Sequence, residues 1–303
     1  MRKHDKGVLN TDLPLSNRRQ GKVRDIYDIV LPDGTVAVLI VATDRVSVFD
    51  VNLGSAVPGK GIILTRISEF WFDFLEDISP NHMLSTNAYD IPGISETERD
   101  MLCGRVMICR KARVIPIECV VRGYLTGGGY KEYLSKGSVS GVSIPDNLVN
   151  GHKFSDPMFT PSTKVDEGHD ENISFDQASA KVGRSLMERM RDLSVRSYEK
   201  ARDYAQTRGI IIADTKFEFG LDERENLILI DEVLTPDSSR FWDAEAWSTN
   251  KKQDNFDKQF LRDYAENLFN AGLWDKTSPG PEIPGDIAAE TLKRYEDLEK
   301  RII

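Results

Sequence analysis

The feature that most restricts the fold is a pair of strand-like runs, "IIADTKFEFG" and "LILIDEVL", separated by the polar turn "LDEREN". Apolar runs of strand length this close together pair as an antiparallel hairpin. Side chains alternate along a strand, so Asp214, Lys216 and Glu218 share one face and Thr215, Phe217 and Phe219 the other. A turn centred near Arg224 and Glu225 predicts Glu218 opposite Asp231. Two converging carboxylates repel unless a cation or proton lies between them. Mg²⁺, held by one or two carboxylates and substrate phosphates, would serve. A cross-strand salt-bridge ladder through Lys216 would serve equally. The second run ends in "DEVLTPDSSRFW", where carboxylates, serines and Arg240 crowd a strand end. That is either a solvated turn or a polar site.

The rest of the chain supplies strands and helices in mixed order. "GKVRDIYDIV", "LPDG" and "TVAVLIVATD" read as strand, turn, strand. "GKGIILTRISEFWFDFLED" has helical spacing, with Ile63, Ile67, Phe70 and Phe74 on one face. "RVMICRKARVI" and "IECVVRGYL" read as a further strand pair, and "TGGG" leads into a short helix. Residues 138–172 are rich in Gly, Pro, Ser and Asp and read as a long irregular segment. A long helix follows, opened by a Ser174/Gln177 capping box and closed at Gly209. Helical patterns occupy roughly 256–270 and 286–302. The expected class is α+β with largely antiparallel sheets.

Net charge narrows the partners. At −9 over 303 residues the chain lacks the basic face of a general nucleic-acid binder. Any anion site must therefore gather its Arg and Lys locally. The longest apolar run, "VAVLIVA", is too short to span a bilayer, and the first ten residues lack a signal-peptide core. Three cysteines without a Cys-x-x-Cys pair suggest neither a disulfide framework nor a zinc site, and the four histidines lack ligand spacing. A reducing cytosol is the expected compartment.

Local clusters point to phosphate. Gly21 precedes Lys22 and Arg24, which share a strand face. Arg122 stands at a strand end before Gly127-Gly128-Gly129, where a helix N-terminus would offer free N–H groups. Each pattern also fits an ordinary exposed strand or glycine turn. "GSAVPGKG" (54–61) matches the P-loop spacing as far as Lys60, but Gly61 stands where a Ser or Thr should be, so it is not a P-loop. In "TPSTKVDEGHDENIS", Thr163, Lys164, His169 and Asp170 could hold a small zwitterion. No arrangement suggests a covalent enzyme intermediate.

The segments "GKVRDIYD", "VATDRVSVFD", "GKGIILTRISEFWF", "PIECVVRGYLTGGGYKEY", "FTPSTKVDEGHDENIS", "IIADTKFEFG", "DEVLTPDSSRFW" and "DKQFLRDY" together resemble the phosphoribosylaminoimidazole-succinocarboxamide synthases. The resemblance implies a fold similar to ATP-grasp enzymes, with an ATP-binding domain over residues 1–113. Residues 114–303 would form a second α+β domain with the metal, ribotide and aspartate sites. It implies small-molecule substrates: ATP, a carboxyaminoimidazole ribotide and L-aspartate, joined as an amide with Mg²⁺. Residue by residue, it implies ATP contacts from Gly21, Lys22, Arg24 and Lys111, and metal ligands Glu218 and Asp231. Lys216, Asp214 and Lys164 would be catalytic. Asp44, Arg45, Ser47, Arg122, Gly128, Thr163, Lys164, His169, Asp170 and Arg240 would bind substrate. Gly128 departs from the family pattern, where a serine hydroxyl helps hold the ribose phosphate. Alternatives are a small-molecule kinase of the inositol phosphate type, or a silent nucleotide-binding module. Neither accounts for the "STKVDEGHDENIS" loop together with Lys22, Glu218 and Asp231.

Overall fold

Alternation in the strand Arg24–Val30 buries Asp25, Tyr27 and Ile29 on one face and leaves Ile26 to the other. In the computed structural model, which describes residues 7–164, 171–251 and 253–303, this strand (β2) lies inside an antiparallel sheet. Its order is β1 (Ser16–Gln20), β2, β3 (Val36–Ala42), β7 (Val106–Arg110) and β6 (Met83–Ser85). β1 is wholly exposed and gives no apolar signal, so only its pairing with β2 reveals it. One face of the sheet packs Tyr27, Leu39 and Ile108 against Ile91, Ile94 and Leu102, the last from α2 (Glu96–Leu102). The other face carries Ile40 and Met107 into the main core beneath α1 (Lys60–Phe74). A two-residue hairpin turn joins β4 (Ser47–Val48) to β5 (Val51–Asn52).

The second sheet is built on β8 (Arg113–Leu125) and β13 (Ile210–Leu221). β14 (Leu227–Ile230) and β15 (Ser239–Asp243) pair with β13, while β11 (His152–Phe159) and β12 (Ser162–Thr163) pair with β8. β7 and β8 are therefore not a pair, since each belongs to a different sheet. Nor is 138–172 wholly irregular. It contains β9 (Ser138–Val139), β10 (Val142–Ser143), β11 and β12, polar strands whose backbone pairing replaces an apolar pattern.

The helix expected over 174–209 opens with the Ser174/Gln177 box but breaks at Gly183, whose φ of 93° no helix allows. This separates α4 (Phe175–Val182) from α5 (Arg184–Thr207). α5 covers the second sheet, and Met187, Met190, Tyr198 and Ala201 enter a core that continues through α1 and both sheets. α3 (Gly127–Lys136) follows β8. α6 (Gln259–Asn270) and α7 (Gly285–Ile302) close the fold, with α7 sending Tyr295 and Leu298 into that core. Among the described residues no helix is long and apolar enough to cross a membrane.

A bulge decides what β13 presents. Ile212 lies opposite Phe241 and Asp214 opposite Arg240, so one extra residue enters β13 between them. Ile210 and Ile212 face the core before it, and Phe217 and Phe219 face the core after it. Strict alternation over the whole strand would put these pairs on opposite faces. The inserted residue turns Asp214, Lys216 and Glu218 away from the core.

Candidate active site

Between the sheets lies a cleft of about 620 Å³. Its wall includes Lys22, Val23 and Arg24 where β2 begins, Phe49 and Asp50 from the β4–β5 turn, and Lys216 and Glu118 from the second sheet. Among the described residues its lining carries seven cations (Lys22, Arg24, Lys131, Lys216, Arg240, Lys258 and Arg262) against six carboxylates. The lining is nearly charge-balanced, with one cation in excess, in a chain whose net charge is −9.

The floor is a row of alternating charges. Lys216 Nζ donates to Glu118 at 2.8 Å and to Glu218 at 2.5 Å, and Lys164 pairs with the other Glu218 oxygen. Burial alone would push the Glu218 carboxyl up, but Lys216 and Lys164 hold it well below the usual carboxylate range. Arg24 meets Asp231 at 2.5 Å and Glu232 at 3.4 Å. Burial opposes its charge, yet Asp231, Glu232 and Glu218 keep it raised above an ordinary guanidinium.

The expected register at this point needs correction. Glu218 lies opposite Ile230, not Asp231, because the connecting loop is anchored by Asp222, whose carboxylate accepts from the N–H groups of Arg224 and Asn226. Asp231 has left the ladder with φ 71°, and the ring of His82 lies 3.2 Å from its carbonyl oxygen. Glu218 and Asp231 nevertheless act on the same Arg24.

A second cluster surrounds Asp214. Arg122 Nη1 and Arg240 Nη1 donate to the same Asp214 oxygen, at 2.8 and 2.5 Å. Gly127 has φ 55°, and a Cβ there would sit 2.2 Å from Arg240 Nη2. Glycine at this position admits the guanidinium to the start of α3. Gly128 lines the cleft, and a Cβ added to it would meet nothing within 4 Å.

Several expected residues are placed elsewhere. Asp44 is fully buried and accepts from Gly61 N–H, Val8 N–H and Arg105, tying the start of α1 to the first sheet. Arg45 is buried with its guanidinium turned into protein acceptors. Neither contacts the cleft, and their burial follows from serving the backbone around them. Ser47 does line it. Lys111, just past β7, is half-exposed beside Asp28, 3.3 Å away, and is not part of the cleft wall. Thr163 is occupied locally, its hydroxyl accepting from Glu171 N–H. His169 and Asp170 lie outside the described residues.

Sequence reasoning passed over Asp50, Lys131, Asp237, Lys258 and Arg262. Lys258 and Arg262 stand four apart at the start of α6, a spacing that puts both on one helix face. Burial pushes the Lys258 amine down to about 8, with Asp237 opposing the shift. The lysine of the false P-loop is also accounted for. Lys60, fully buried, donates to Asp237 at 2.8 Å, and Tyr295 of α7 reaches the other Asp237 oxygen at 3.1 Å.

Two antiparallel sheets closing on a cleft where Lys and Arg side chains interleave with carboxylates at strand ends define an α+β enzyme that handles charged small molecules. The chain belongs to the SAICAR synthetase family, whose model matches residues 17–279. It is 49% identical over 297 residues to the phosphoribosylaminoimidazole-succinocarboxamide synthase of Geobacter sulfurreducens, covering 97% of each chain. The corresponding protein of Geotalea uraniireducens is 49% identical over 290 residues, covering 95% of each. Among solved structures, the SAICAR synthase of Saccharomyces cerevisiae complexed with SAICAR has a TM-score of 0.82 at 42% identity, covering 99% of this chain and 98% of that one.

Proposed function

We propose that this chain joins L-aspartate to the carboxylate of 5-amino-1-(5-phosphoribosyl)imidazole-4-carboxylate, consuming ATP and forming SAICAR, ADP and phosphate. The observation that carries the reading is the cleft itself: Lys22 and Arg24, where β2 begins, line it together with Lys216 of the second sheet, while Arg24 pairs with Asp231 just beyond β14 and Lys216 with Glu218. A carboxylate is a poor acyl donor, and phosphorylation gives it a leaving group. Such catalysis consists of positioning and charge neutralisation, which cations supply without a protein nucleophile.

In this reading residues 1–113 form the nucleotide domain and residues 114–303 carry the remaining sites. Lys22 and Arg24 hold the ATP phosphates. Arg240, with the start of α3 at Gly127 and Gly128, holds the ribose phosphate. Asp214 fixes Arg122 and Arg240 side by side, and of the two Arg240 lines the cleft and would offer its planar fork to the phosphate. Lys216 and Lys164 neutralise charge on the reacting carboxylate, and Lys164 leads into the segment assigned to aspartate.

Glu218 and Asp231 suit Mg²⁺. Among the described residues no three acidic, His or Cys side chains form a ready cage, but Mg²⁺ ordinarily takes only one or two carboxylates together with substrate phosphates. Bound there, it would neutralise phosphoryl charge. The free thiols Cys103, Cys109 and Cys119 fit the reducing cytoplasm in which we place the enzyme.

The ribotide carboxylate attacks the γ-phosphorus and ADP leaves. The aspartate amine then attacks the acyl carbon, phosphate leaves, and the amine gives up its proton. With ¹⁸O in the ribotide carboxylate, incubation with ATP, Mg²⁺ and aspartate should place label in the released phosphate. Label retained wholly in the product would exclude this route. No phosphate released and ATP left intact would point to a silent module or to a kinase whose own acceptor is missing from the mixture, and ATP consumed only after an inositol phosphate is added would mark the kinase.

A further inference from the structure

Arg45 carries five N–H donors, and the protein engages all of them. Nε donates to the Lys22 carbonyl at 3.1 Å, and Nη2 to the Gly21 carbonyl at 3.0 Å and to Asp25 Oδ1 at 2.8 Å. Nη1 donates to the Leu9 carbonyl at 2.5 Å and to Asn10 Oδ1 at 3.4 Å. Thr43 completes the arrangement, since both its N–H and its hydroxyl donate to the Val23 carbonyl, at 3.1 and 2.7 Å. The three carbonyls of the Gly21-Lys22-Val23 turn are thus all held by residues 43–45. Gly21 N–H closes the turn onto the Arg24 carbonyl at 2.8 Å.

This has a stereochemical consequence. In a planar trans peptide the C=O and the following N–H point in opposite directions. With the Gly21 and Lys22 carbonyls drawn toward Arg45, the N–H groups of Lys22 and Val23 point away from it. Both residues line the cleft, and Arg45 does not. Successive N–H groups on one side of a turn make an anion-binding concavity.

We infer that Arg45 is a positioning residue: its guanidinium, with Thr43, shapes the 21–23 turn into a phosphate cradle and never touches substrate itself. The inference rests on the placement of the nucleotide phosphates at Lys22 and Arg24. Lysine cannot replace this arginine, because one ammonium cannot span the Gly21 and Lys22 carbonyls, Asp25 and the Leu9 carbonyl together. A purely structural role would weaken all nucleotide binding alike. A cradle role is felt only by the phosphates.

The test compares ADP and adenosine as competitors of ATP in the full-length enzyme. Arg45→Lys should weaken ADP about tenfold, and Thr43→Val about threefold, the scale of one or two backbone hydrogen bonds. Adenosine should stay within about twofold of the wild type in both, a spread below one such bond. Parallel weakening of ADP and adenosine, or unchanged ADP in both variants, overturns the inference. Thr43→Val decides the matter if Arg45→Lys does not fold. Lys22→Ala separates the two levels of the argument. If it weakens ADP while Arg45→Lys and Thr43→Val do not, the phosphate placement stands and the cradle role fails. If it leaves ADP unchanged, the placement itself fails and the inference with it.

Discussion

Replacing Lys60 with methionine should cost stability out of proportion to the single bond it makes. Lys60 is the first residue of α1, so its ammonium sits at the positive end of the helix dipole, with no exposed surface. Its compensation is Asp237, itself 4% exposed, at 2.8 Å. Burial would push the Asp237 carboxyl up, but Lys60 and Lys258 hold it well below the usual range. Breaking a buried pair from one side leaves an uncompensated charge, a loss of roughly 3–5 kcal/mol. Asp237 keeps the Tyr295 hydroxyl and the field of Lys258, which places Lys60→Met near the lower end, at about 3 kcal/mol. For a chain of this length that corresponds to about 6 °C in Tm, at roughly 2 °C per kcal/mol. Asp237→Asn alone should cost a similar amount by stranding Lys60. The double variant removes both charges and keeps an acceptor for Tyr295, so the two losses should overlap by about 2–3 kcal/mol. Urea unfolding of the four proteins measures that coupling. Strictly additive losses, or a Lys60→Met loss below about 1 kcal/mol, would refute the claim that the pair is held by mutual charge compensation.

The other predictions concern the cleft. Lys258, with its amine near 8, is charged below that pH and neutral above it, so kcat/KM for the ribotide should fall as pH rises through about 8, a limb that Lys258→Met removes. Its stability contribution runs the other way: the unfolded chain binds the extra proton between about 8 and 10, so Lys258 makes folding more favourable as pH rises across that window, and urea midpoints of wild type and Lys258→Met should converge. Glu218→Gln and Asp231→Asn should each abolish turnover at moderate Mg²⁺ while the circular dichroism spectrum is retained; near-normal rates in both would remove them from the metal site. Gly128→Ser should be tolerated, because the space around it is open, whereas Gly127→Ala drives a methyl into Arg240 and should raise the ribotide KM; equal ribotide KM values in the two variants would contradict the mapping of this turn.

Much of the architecture was readable because burial leaves a period in the sequence. The β2–β3 hairpin, α1 and the β13–β14 pair announced themselves this way, and the Ser174 cap by the residue types of its capping box. What stayed hidden obeys backbone geometry instead. β1 is polar throughout, Gly183 interrupts an otherwise continuous helical pattern, and the bulge before Asp214 leaves no compositional mark. The one-residue error at Asp231 arose because the Asp222 side chain, not the loop's length, sets where the turn is centred. Among site residues, Lys216 and Arg240 were legible as charges beside apolar runs. Asp44 and Arg45 carry the same kind of signal yet turn inward, and only three-dimensional contacts separate a charge that serves the cleft from one that serves the backbone.

The row Glu118, Lys216, Glu218 and Lys164 makes the cleft a solid-state ion exchanger whose counterions are tethered to its own walls. On the proposed reading, an arriving phosphate or Mg²⁺ would displace a side chain from its partner where an open site would shed dissolved salt. Attraction gained by the ligand is offset by pairs broken in the protein, so affinity responds weakly to ionic strength where the groups are buried. On the proposed reading, swapping partners would let a nucleotide and a Mg²⁺ held by Glu218 enter together at lower electrostatic cost than either alone.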